Sequence, residues 1–341
     1  MTTQQVPATM RAWSVAGRPG GPGRLELTDR PVPVPADDEV LVRVRTCGIC
    51  RTDLHLADHD LAPRAPARVP GHEVVGEVLG TGGGTGRFVL GDRIGVAWLR
   101  RTCGTCRWCR TGAENLCLRA EFTGWDSDGG FAEYAVVPEA FAYRIPDALS
   151  DEAAAPLLCS GIIGYRALRR AQLPPAGRLG IYGFGASAHL TAQIALAQGA
   201  EVHVLTRGEA AKALARELGA ASVGDAYDGP PVPLDSAILF APVGDLVPVA
   251  LAALEQGGTL AVAGIHLSDV PRLDYQAHLF RERTLTSVTA NTRADGEELF
   301  ALAAALGVRA HVGPVPFDDA DRALEDLAHD DVSGAGVLQV G

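Results

Sequence analysis

A chain of 341 residues exceeds the size at which a single hydrophobic core keeps growing, so two domains are expected. Hydrophobic residues make up 47% of the chain, which is enough to build ordered cores. The formal net charge of −11, without a clustered basic stripe, argues against nucleic acid or an anionic membrane as the main partner and favours a small molecule.

The N-terminal residues Met1 to Ala12 lack the apolar core of a secretory signal. A run of about 18 apolar residues that could span a membrane is absent from the sequence. We therefore expect a cytoplasmic protein, a compartment in which cysteines stay reduced.

Residues 10 to 157 are predicted to form a small, irregular β-barrel. Short alternating or apolar runs are separated by Gly and Pro clusters such as Gly80 to Gly86. The predicted strands are Glu39 to Arg45, His72 to Leu79, Arg93 to Ala97 and Phe131 to Val137.

Four cysteines lie within fifteen residues of this region: Cys103, Cys106, Cys109 and Cys117. Two disulfides would need an oxidising compartment. Bacterial iron–sulfur motifs close with a gap of about three residues followed by Pro, whereas here the gap is seven and Leu118 follows. Loop 103–117 is therefore predicted to hold a structural zinc. Flanking arginines are predicted to offset the thiolate charge: Arg100, Arg101, Arg107 and Arg110.

A second set of candidate ligands is dispersed along the chain: Cys50, His72, Glu73 and Cys159. A mixed cysteine and histidine set with one open position allows zinc to act as a Lewis acid on an alcohol oxygen. Spacing alone does not select these residues, because a single such cysteine is more often a buried apolar thiol.

From about Arg178 the pattern changes to alternating strands and helices. A strand, Leu179 to Tyr182, a helix, Ala186 to Gln198, and a strand, Glu201 to Leu205, form a βαβ unit. Further predicted strands complete a doubly wound parallel sheet: Ser236 to Phe240, Thr259 to Val262 and Thr284 to Val288.

The turn of the βαβ unit fits the dinucleotide fingerprint G-x-G-x-x-G/A, with Ala in the third place. Backbone N–H groups at the start of the following helix can bind a pyrophosphate. The residues predicted to contact the dinucleotide are Gly183, Gly185, Ala186, Ser187 and Ala188.

The end of the second strand selects the cofactor. An acidic residue there would bind the ribose 2′-OH of NAD, but the chain has Thr206 and Arg207, followed by Gly208, which leaves room for a 2′-phosphate. We therefore predict that NADP(H) is favoured over NAD(H). The alternative is that Arg207 is one solvated arginine among many.

The last fifty residues, Asp295 to Gly341, contain helix patterns at Gly296 to Ala305 and Ala320 to Leu327 and a final strand at Gly336 to Val340. We expect this tail to pack against the first domain.

The segments GICRTDLH, VPGHEVVGEV, PLLCSG and GFGASA, together with the four-cysteine loop, resemble the zinc-dependent alcohol dehydrogenases of the medium-chain dehydrogenase/reductase superfamily. The likeness runs in order over nearly the whole chain. It implies an α/β fold with an irregular, GroES-like β-barrel catalytic domain (residues 1–157 and 292–341) and a doubly wound, Rossmann coenzyme domain (residues 158–291).

The resemblance also implies roles for individual residues. Cys50, His72 and Cys159 would bind a catalytic zinc, with Glu73 close enough to coordinate when the ligands rearrange, whereas Cys47 would not be a ligand.

By the same resemblance, Thr52 would hydrogen-bond the substrate oxygen, and His55 would be the outer group of a proton relay through the cofactor ribose to solvent. Asp53 would orient the His72 ring. Trp98 and Trp125 would wall the substrate pocket.

Arg51, Ile265 and His266 would contact the cofactor. Many relatives have an arginine for the pyrophosphate near the C-terminus, where this chain has Ala335. Arg51 and Arg293 are the candidates for the compensating charge.

The sequence thus predicts an enzyme with two zinc ions per chain that interconverts an alcohol and its aldehyde or ketone by hydride transfer to or from NAD(P). Relatives of this length suggest a homo-oligomer, a tetramer or dimer. One alternative is an NADPH-dependent reductase of a bulkier specialised-metabolism carbonyl or imine. Another is a zinc or nucleotide sensor without turnover; such a protein could afford to lose Thr52 or His55, whereas this chain has both.

Overall fold

The computed structural model describes residues 6–16, 24–265, 267–329 and 334–341. It contains two compact units. Unit 1 comprises residues 1–159, 290–301 and 310–341, and unit 2 comprises residues 160–289 and 302–309. Among the helices of the described residues, none is long and apolar enough to cross a membrane.

The strands up to residue 159 are β1 (Thr9–Val15), β2 (Leu25–Pro31), β3 (Glu39–Gly48), β4 (Val74–Thr81), β5 (Arg93–Val96), β6 (Leu99–Arg101), β7 (Glu121–Phe122), β8 (Tyr134–Pro138) and β9 (Ala142–Arg144). The α-helices of this part are α1 (Arg51–Ala57), α2 (Arg107–Arg110) and α3 (Asp151–Ala154).

The next elements are α4 (Ser160–Arg170), β10 (Arg178–Tyr182), α5 (Ala186–Ala197), β11 (Glu201–Leu205), α6 (Glu209–Glu217), β12 (Ser222–Gly224), β13 (Leu234–Leu239), α7 (Leu246–Ala253), β14 (Leu254–Val262), α8 (Tyr275–His278) and β15 (Thr284–Ser287). The chain ends with α9 (Arg293–Leu306), β16 (Val312–Pro316), α10 (Ala320–Ala328) and β17 (Ala335–Gln339).

Unit 1 is organised around a curved sheet in the order β16-β17-β3-β4-β5-β9, with β8 also paired to β3. Val40, Val42 and Val44 of β3 are buried in its core. The intervening Arg43 and Arg45 both donate to Glu77 of β4, at 2.8 and 2.7 Å. One face of β3 is therefore apolar and the other carries ion pairs, as expected for an antiparallel sheet with one packed face.

Unit 2 contains a parallel sheet in the order β12-β11-β10-β13-β14-β15. The chain order reverses between β10 and β13, which is the switch point where doubly wound sheets bind ligands at the carboxyl ends of their strands. Leu179, Ile181 and Tyr182 of β10 are fully buried, as in a sheet covered on both faces. The combination of the two sheets confirms the predicted fold class.

One predicted boundary is shifted in a way that matters for the site. His72 and Glu73 were expected inside a strand, but β4 begins only at Val74. Gly71 has φ +98°, a conformation that favours glycine, and it turns the chain just before these two residues. His72 and Glu73 therefore lie in the segment that leads into β4, where the N–H of Gly48 donates to the carbonyl of Glu73 at 3.0 Å.

Candidate metal and cofactor sites

The dispersed ligand candidates meet in unit 1. Ligand atoms of Cys50, His72, Glu73 and Cys159 all lie within 4.8 Å of one another. The Sγ atoms of Cys50 and Cys159 are 3.8 Å apart. That is far longer than a disulfide bond and matches the edge of about 3.8 Å expected for a tetrahedron with Zn–S bonds of about 2.3 Å.

Asp53 fixes two of the segments that carry these ligands. Its Oδ2 accepts a hydrogen bond of 3.0 Å from the backbone N–H of Cys50, at the start of α1. Its Oδ1 accepts one of 2.9 Å from the N–H of Gly71, next to His72. A side chain at Gly71 would collide with Phe131 and approach the Cys47 sulfur, so the tight turn requires glycine.

The His72 imidazole is almost fully buried, with 1% of its surface exposed. Nδ1 lies 3.3 Å from Asp53 Oδ1. Within the described part of the chain, neither ring nitrogen makes a hydrogen bond of good geometry. Leaving buried polar atoms unsatisfied costs about 1–3 kcal/mol each, so the ring fits a metal ligand better than a core histidine.

The electrostatics of this cluster favour a cation. The hydrogen bond from Cys159, followed by the nearby His72, holds the pKa of Cys50 well below its usual range. The same contact and burial raise the pKa of Cys159. Burial and the charge of Cys50 raise the pKa of Glu73. These acidic groups resist ionising together, and a divalent cation would favour their deprotonated forms.

The four-cysteine loop brings its thiols equally close, with all four sulfurs within 4.8 Å of one another. The Sγ atoms of Cys103 and Cys109 are 3.8 Å apart, and those of Cys106 and Cys109 are 3.5 Å apart. The backbone N–H of Cys106 donates to Cys103 Sγ at 3.3 Å. The cysteines are reduced, and N–H donors of this kind are suited to a metal–thiolate site.

Two of the arginines predicted to offset the thiolate charge point elsewhere, so that prediction was wrong for them. Arg100 donates to Glu39 at 2.6 Å, and Arg101 donates to Asp38 at 2.6 Å. These pairs form because β6 contacts β8, which pairs with the start of β3. Arg119 does interact with the thiolates, since its hydrogen bond with Cys103 raises the pKa of its guanidinium.

The hydroxyl and imidazole predicted for proton transfer lie on α1, three residues apart and therefore on one face of the helix. Thr52 Oγ1 is 3.7 Å from Cys50 Sγ. His55 Nδ1 is 3.1 Å from Asp60 Oδ2, a partner that sequence reasoning missed. The spacing of five residues is not a helical contact, so the pattern held no signal for it.

Aromatic rings border the dispersed cluster. The Trp98 ring packs edge-on against His72, with centroids 5.0 Å apart. Trp98 also stacks with Phe122 at 5.0 Å and with Trp125 at 6.1 Å. The structure thus brings both predicted tryptophans together and adds Phe122, which lacked a sequence signal beyond being aromatic.

The fingerprint glycines of unit 2 follow β10. Gly183 has φ +84°, and a side chain there would collide with the backbone of Ala241. Gly185 precedes α5 and would have open space around a Cβ. Ala186 and Ser187 form the first turn of α5, so their N–H groups are in position for an anion. Ala188 is buried against the sheet.

Thr206 is buried at the end of β11, and its N–H donates to the carbonyl of Gly224. Arg207 is exposed, and no hydrogen bond or ion pair of its side chain is seen within residues 24–265 or the other described ranges. The nearby Glu209 carboxylate binds Lys212 at 3.1 Å.

The other residues predicted to contact the cofactor lie outside the fingerprint turn. Ile265 follows β14 and is 57% exposed. Arg51 begins α1 and is also exposed. His266 lies outside the described residues. Arg293 donates to Glu114 at 3.2 Å and covers the Phe141 ring. Its guanidinium therefore has a structural partner in unit 1.

The strand that contains Ala335 offers no side chain to replace the missing arginine. The N–H of Ala335 donates to the carbonyl of His311 at 2.7 Å.

Comparisons with known proteins agree with this geometry. Residues 36–147 match the alcohol dehydrogenase GroES-like domain. The chain is 56% identical to a probable alcohol dehydrogenase AdhA of Mycobacterium tuberculosis, over 100% of both chains.

Two solved structures illustrate the likeness in fold. A cobalt- and zinc-bound thermostable alcohol dehydrogenase from Pyrobaculum aerophilum has a TM-score of 0.84 and 27% identity, covering 97% of this chain and 99% of that one. An acetophenone reductase from Geotrichum candidum in complex with NAD has a TM-score of 0.86 and 26% identity, covering 98% of each chain.

Proposed function

Because this chain belongs to the zinc-dependent alcohol dehydrogenases of the medium-chain dehydrogenase/reductase superfamily, we propose a residue-level account of its alcohol–carbonyl interconversion. Cys50, His72 and Cys159 hold the catalytic zinc, and Glu73 is the neighbouring carboxylate that can join them. The cysteines of loop 103–117 hold a second, structural zinc.

The observation that carries this proposal is the buried His72 ring, whose nitrogens lack hydrogen bonds of good geometry within the described residues while thiol and carboxyl groups converge on it. A core histidine would pair with its surroundings. Elemental analysis of the purified protein should find two zinc ions per chain, and one ion or none would contradict the assignment.

When bound, zinc supplies a Lewis acid for the substrate oxygen, and the nicotinamide cofactor accepts or donates the hydride. As Thr52 Oγ1 accepts the proton of the alcohol, the Thr52 hydroxyl gives up its own proton, and His55, the outer group of the relay, releases a proton to solvent. Asp53 holds Cys50 and the turn before His72 in place through its two N–H contacts.

Removing the Thr52 hydroxyl tests this division of labour. Thr52→Ala should retain zinc and lose about 10² to 10⁴-fold in turnover, the usual range for positioned proton transfer. Thr52→Ser keeps a hydroxyl and should retain most of the activity. Near-normal turnover of the alanine variant at neutral pH would refute the relay.

We further propose that NADP(H) is preferred over NAD(H). Arg207 is exposed just after β11, and the preceding position holds Thr206 instead of an acidic residue. This arrangement supports a 2′-phosphate site. A charged hydrogen bond of about 1.5–3 kcal/mol corresponds to a preference of roughly ten- to a hundredfold.

Steady-state constants with both cofactors test the preference. Arg207→Asp should reverse it, whereas Arg216→Asp, at an exposed arginine on α6, should leave it unchanged. A wild-type preference for NADH would overturn this part of the proposal.

The substrate is proposed to be of modest size. Stacking of Trp98, Phe122 and Trp125 beside His72 fills space that a bulky carbonyl or imine would need. A turnover screen over aldehydes and ketones of increasing size should show the rate falling with bulk. A clear preference for the bulkiest substrates would favour the specialised-metabolism reductase instead.

A homo-oligomer is also proposed. Strand β15 ends the parallel sheet of unit 2, and Leu285 on it is 38% exposed. Edge strands present backbone groups that can pair with another chain. Light scattering should therefore give a dimer or tetramer, and a monomer would contradict this.

A further inference from the structure

We propose that Asp60 is a positioning residue for the proton relay, which holds His55 as the tautomer that accepts the proton at Nε2. The inference rests on the proposed role of His55 and adds a residue that the sequence did not indicate.

The contact itself is direct. Asp60 Oδ2 lies 3.1 Å from His55 Nδ1. An ionised carboxylate can only accept hydrogen bonds, so Nδ1 must be the donor. In the neutral ring, the lone pair then resides on Nε2, because only one nitrogen carries a proton. The carboxylate thereby selects which atom of His55 can receive a proton.

The turn after α1 brings Asp60 back toward His55 on the helix. His59 has φ +64°, a left-handed conformation that reverses the chain after α1. The N–H of Leu61 donates to the carbonyl of His55 at 3.0 Å. Asp60 thus lies between His59, where the chain reverses, and Leu61, whose N–H is hydrogen-bonded to the carbonyl of His55.

The start of the same turn is anchored to the body of unit 1. Asp58 Oδ1 accepts a hydrogen bond of 2.6 Å from Arg24, whose side chain is only 8% exposed. The same Arg24 also binds Glu325 of α10. The ring of His59 contacts the carbonyl of Ala16 at 3.2 Å. These contacts distinguish Asp60 from a carboxylate on an unrestrained surface loop.

The Asp60 side chain is 62% exposed and that of His55 is 26% exposed. Exposed ion pairs contribute little to stability. Substitution of Asp60 should therefore leave folding almost unchanged, and its effect should appear in the chemistry of His55.

A double-mutant cycle separates the possibilities. Asp60→Ala should lower kcat by about tenfold, the lower end of the range for removing a partner of a metal-binding histidine. In the His55→Gln background the same substitution should have no further effect, because the two residues act as a unit. Asp60→Glu should recover part of the rate. Asp29→Ala, at an exposed carboxylate on β2, is the charge control and should match the wild type.

Nitrogen-15 NMR of histidine-labelled, zinc-loaded enzyme gives a second readout that does not depend on turnover. His55, identified by the signal lost in His55→Gln, should have its proton on Nδ1 in the wild type. Asp60→Ala should shift it toward the Nε2–H form.

The outcomes distinguish this inference from the relay. If His55→Gln leaves turnover unchanged, the relay fails and the role of Asp60 fails with it. If His55→Gln slows turnover but Asp60→Ala is equally harmful in both backgrounds, or leaves the Nδ1–H signal intact, the relay stands and the assignment of Asp60 is overturned.

Discussion

The two candidate metal centres of unit 1 are built from similar atoms in opposite ways. One takes four thiols from a single loop of fifteen residues, and the other collects its ligands from positions as far apart as Cys50 and Cys159. In both, sulfur atoms approach to 3.8 Å. A metal ion in the loop site would therefore stabilise a local segment, whereas binding at the dispersed site would depend on a fold that is already formed.

The burial of the two sites differs as well. In the dispersed site His72 and Glu73 are buried and the two cysteines are partly exposed, whereas in the loop site only Cys117 is buried. A structural site can remain near solvent because it has no substrate to exclude. A reactive site benefits from surroundings in which water is excluded and charges act more strongly.

The largest expected difference is in turnover. Cys159→Ser should remove the metal from the dispersed site and lower kcat/KM by about 10³-fold or more, because Lewis-acid stabilisation is worth several kcal/mol. Zinc content should fall from two ions to one, as measured by elemental analysis alongside kinetics.

The matched control is Cys47→Ala, at a buried thiol close to the site that is not proposed as a ligand. It should retain both zinc ions and most of the activity. If Cys47→Ala lost the metal and Cys159→Ser retained it, Cys47 rather than Cys159 would be the ligand.

The next effect is on stability. Cys106→Ser should weaken the loop site and lower the apparent unfolding temperature by about 10 °C, since structural zinc contributes folding free energy and a loss of about 3 kcal/mol has that consequence in a unit of this size. Thermal unfolding with and without added zinc measures it. If Cys106→Ser remained fully stable but lost its turnover, the loop site would be the catalytic centre instead of the structural one.

The smallest effect is on thiol titration in the metal-free protein. Hydrogen bonds from the backbone of Thr105 and then of Cys106 lower the pKa of Cys103 to about 5. Because the folded pKa is depressed, the associated stabilisation is present above the unfolded pKa and is lost as the pH falls through about 5.

Alkylation by iodoacetamide, followed by mass spectrometry, should therefore show a midpoint near pH 5 for Cys103. Cys47 should remain unmodified, because burial raises its pKa. A midpoint above pH 8 for Cys103 would show that the loop does not stabilise its thiolate.

The same contrast explains what the sequence could predict. The four-cysteine loop and the fingerprint around Gly183 are local patterns, in which short spacing determines geometry. The parallel sheet of unit 2 follows from alternating strands and helices joined by short connections. These parts of the fold were predictable from periodicity and glycine positions.

Other features depend on distant segments. Residue spacing alone could not select Cys50, His72 and Cys159, and only the family resemblance did so. Arg101 binds Asp38 across 63 positions, which no local pattern indicates. The contact between Asp60 and His55 depends on a turn anchored by Arg24, a residue earlier in the chain. Such contacts are decided by packing, and a motif cannot encode them.

The pairing of β17 with β3 has a consequence for the order of events during synthesis. Val337 lies opposite Gly48, and the N–H of Ile49 donates to the carbonyl of Gly336 at 2.8 Å, immediately before Cys50. The strand that supports this ligand is thus synthesised after both Cys50 and the four-cysteine loop. Contacts so distant in sequence form late because closing a long loop costs entropy. We expect a nascent chain to capture zinc in its four-cysteine loop first and to complete the dispersed site only after β17 has been made.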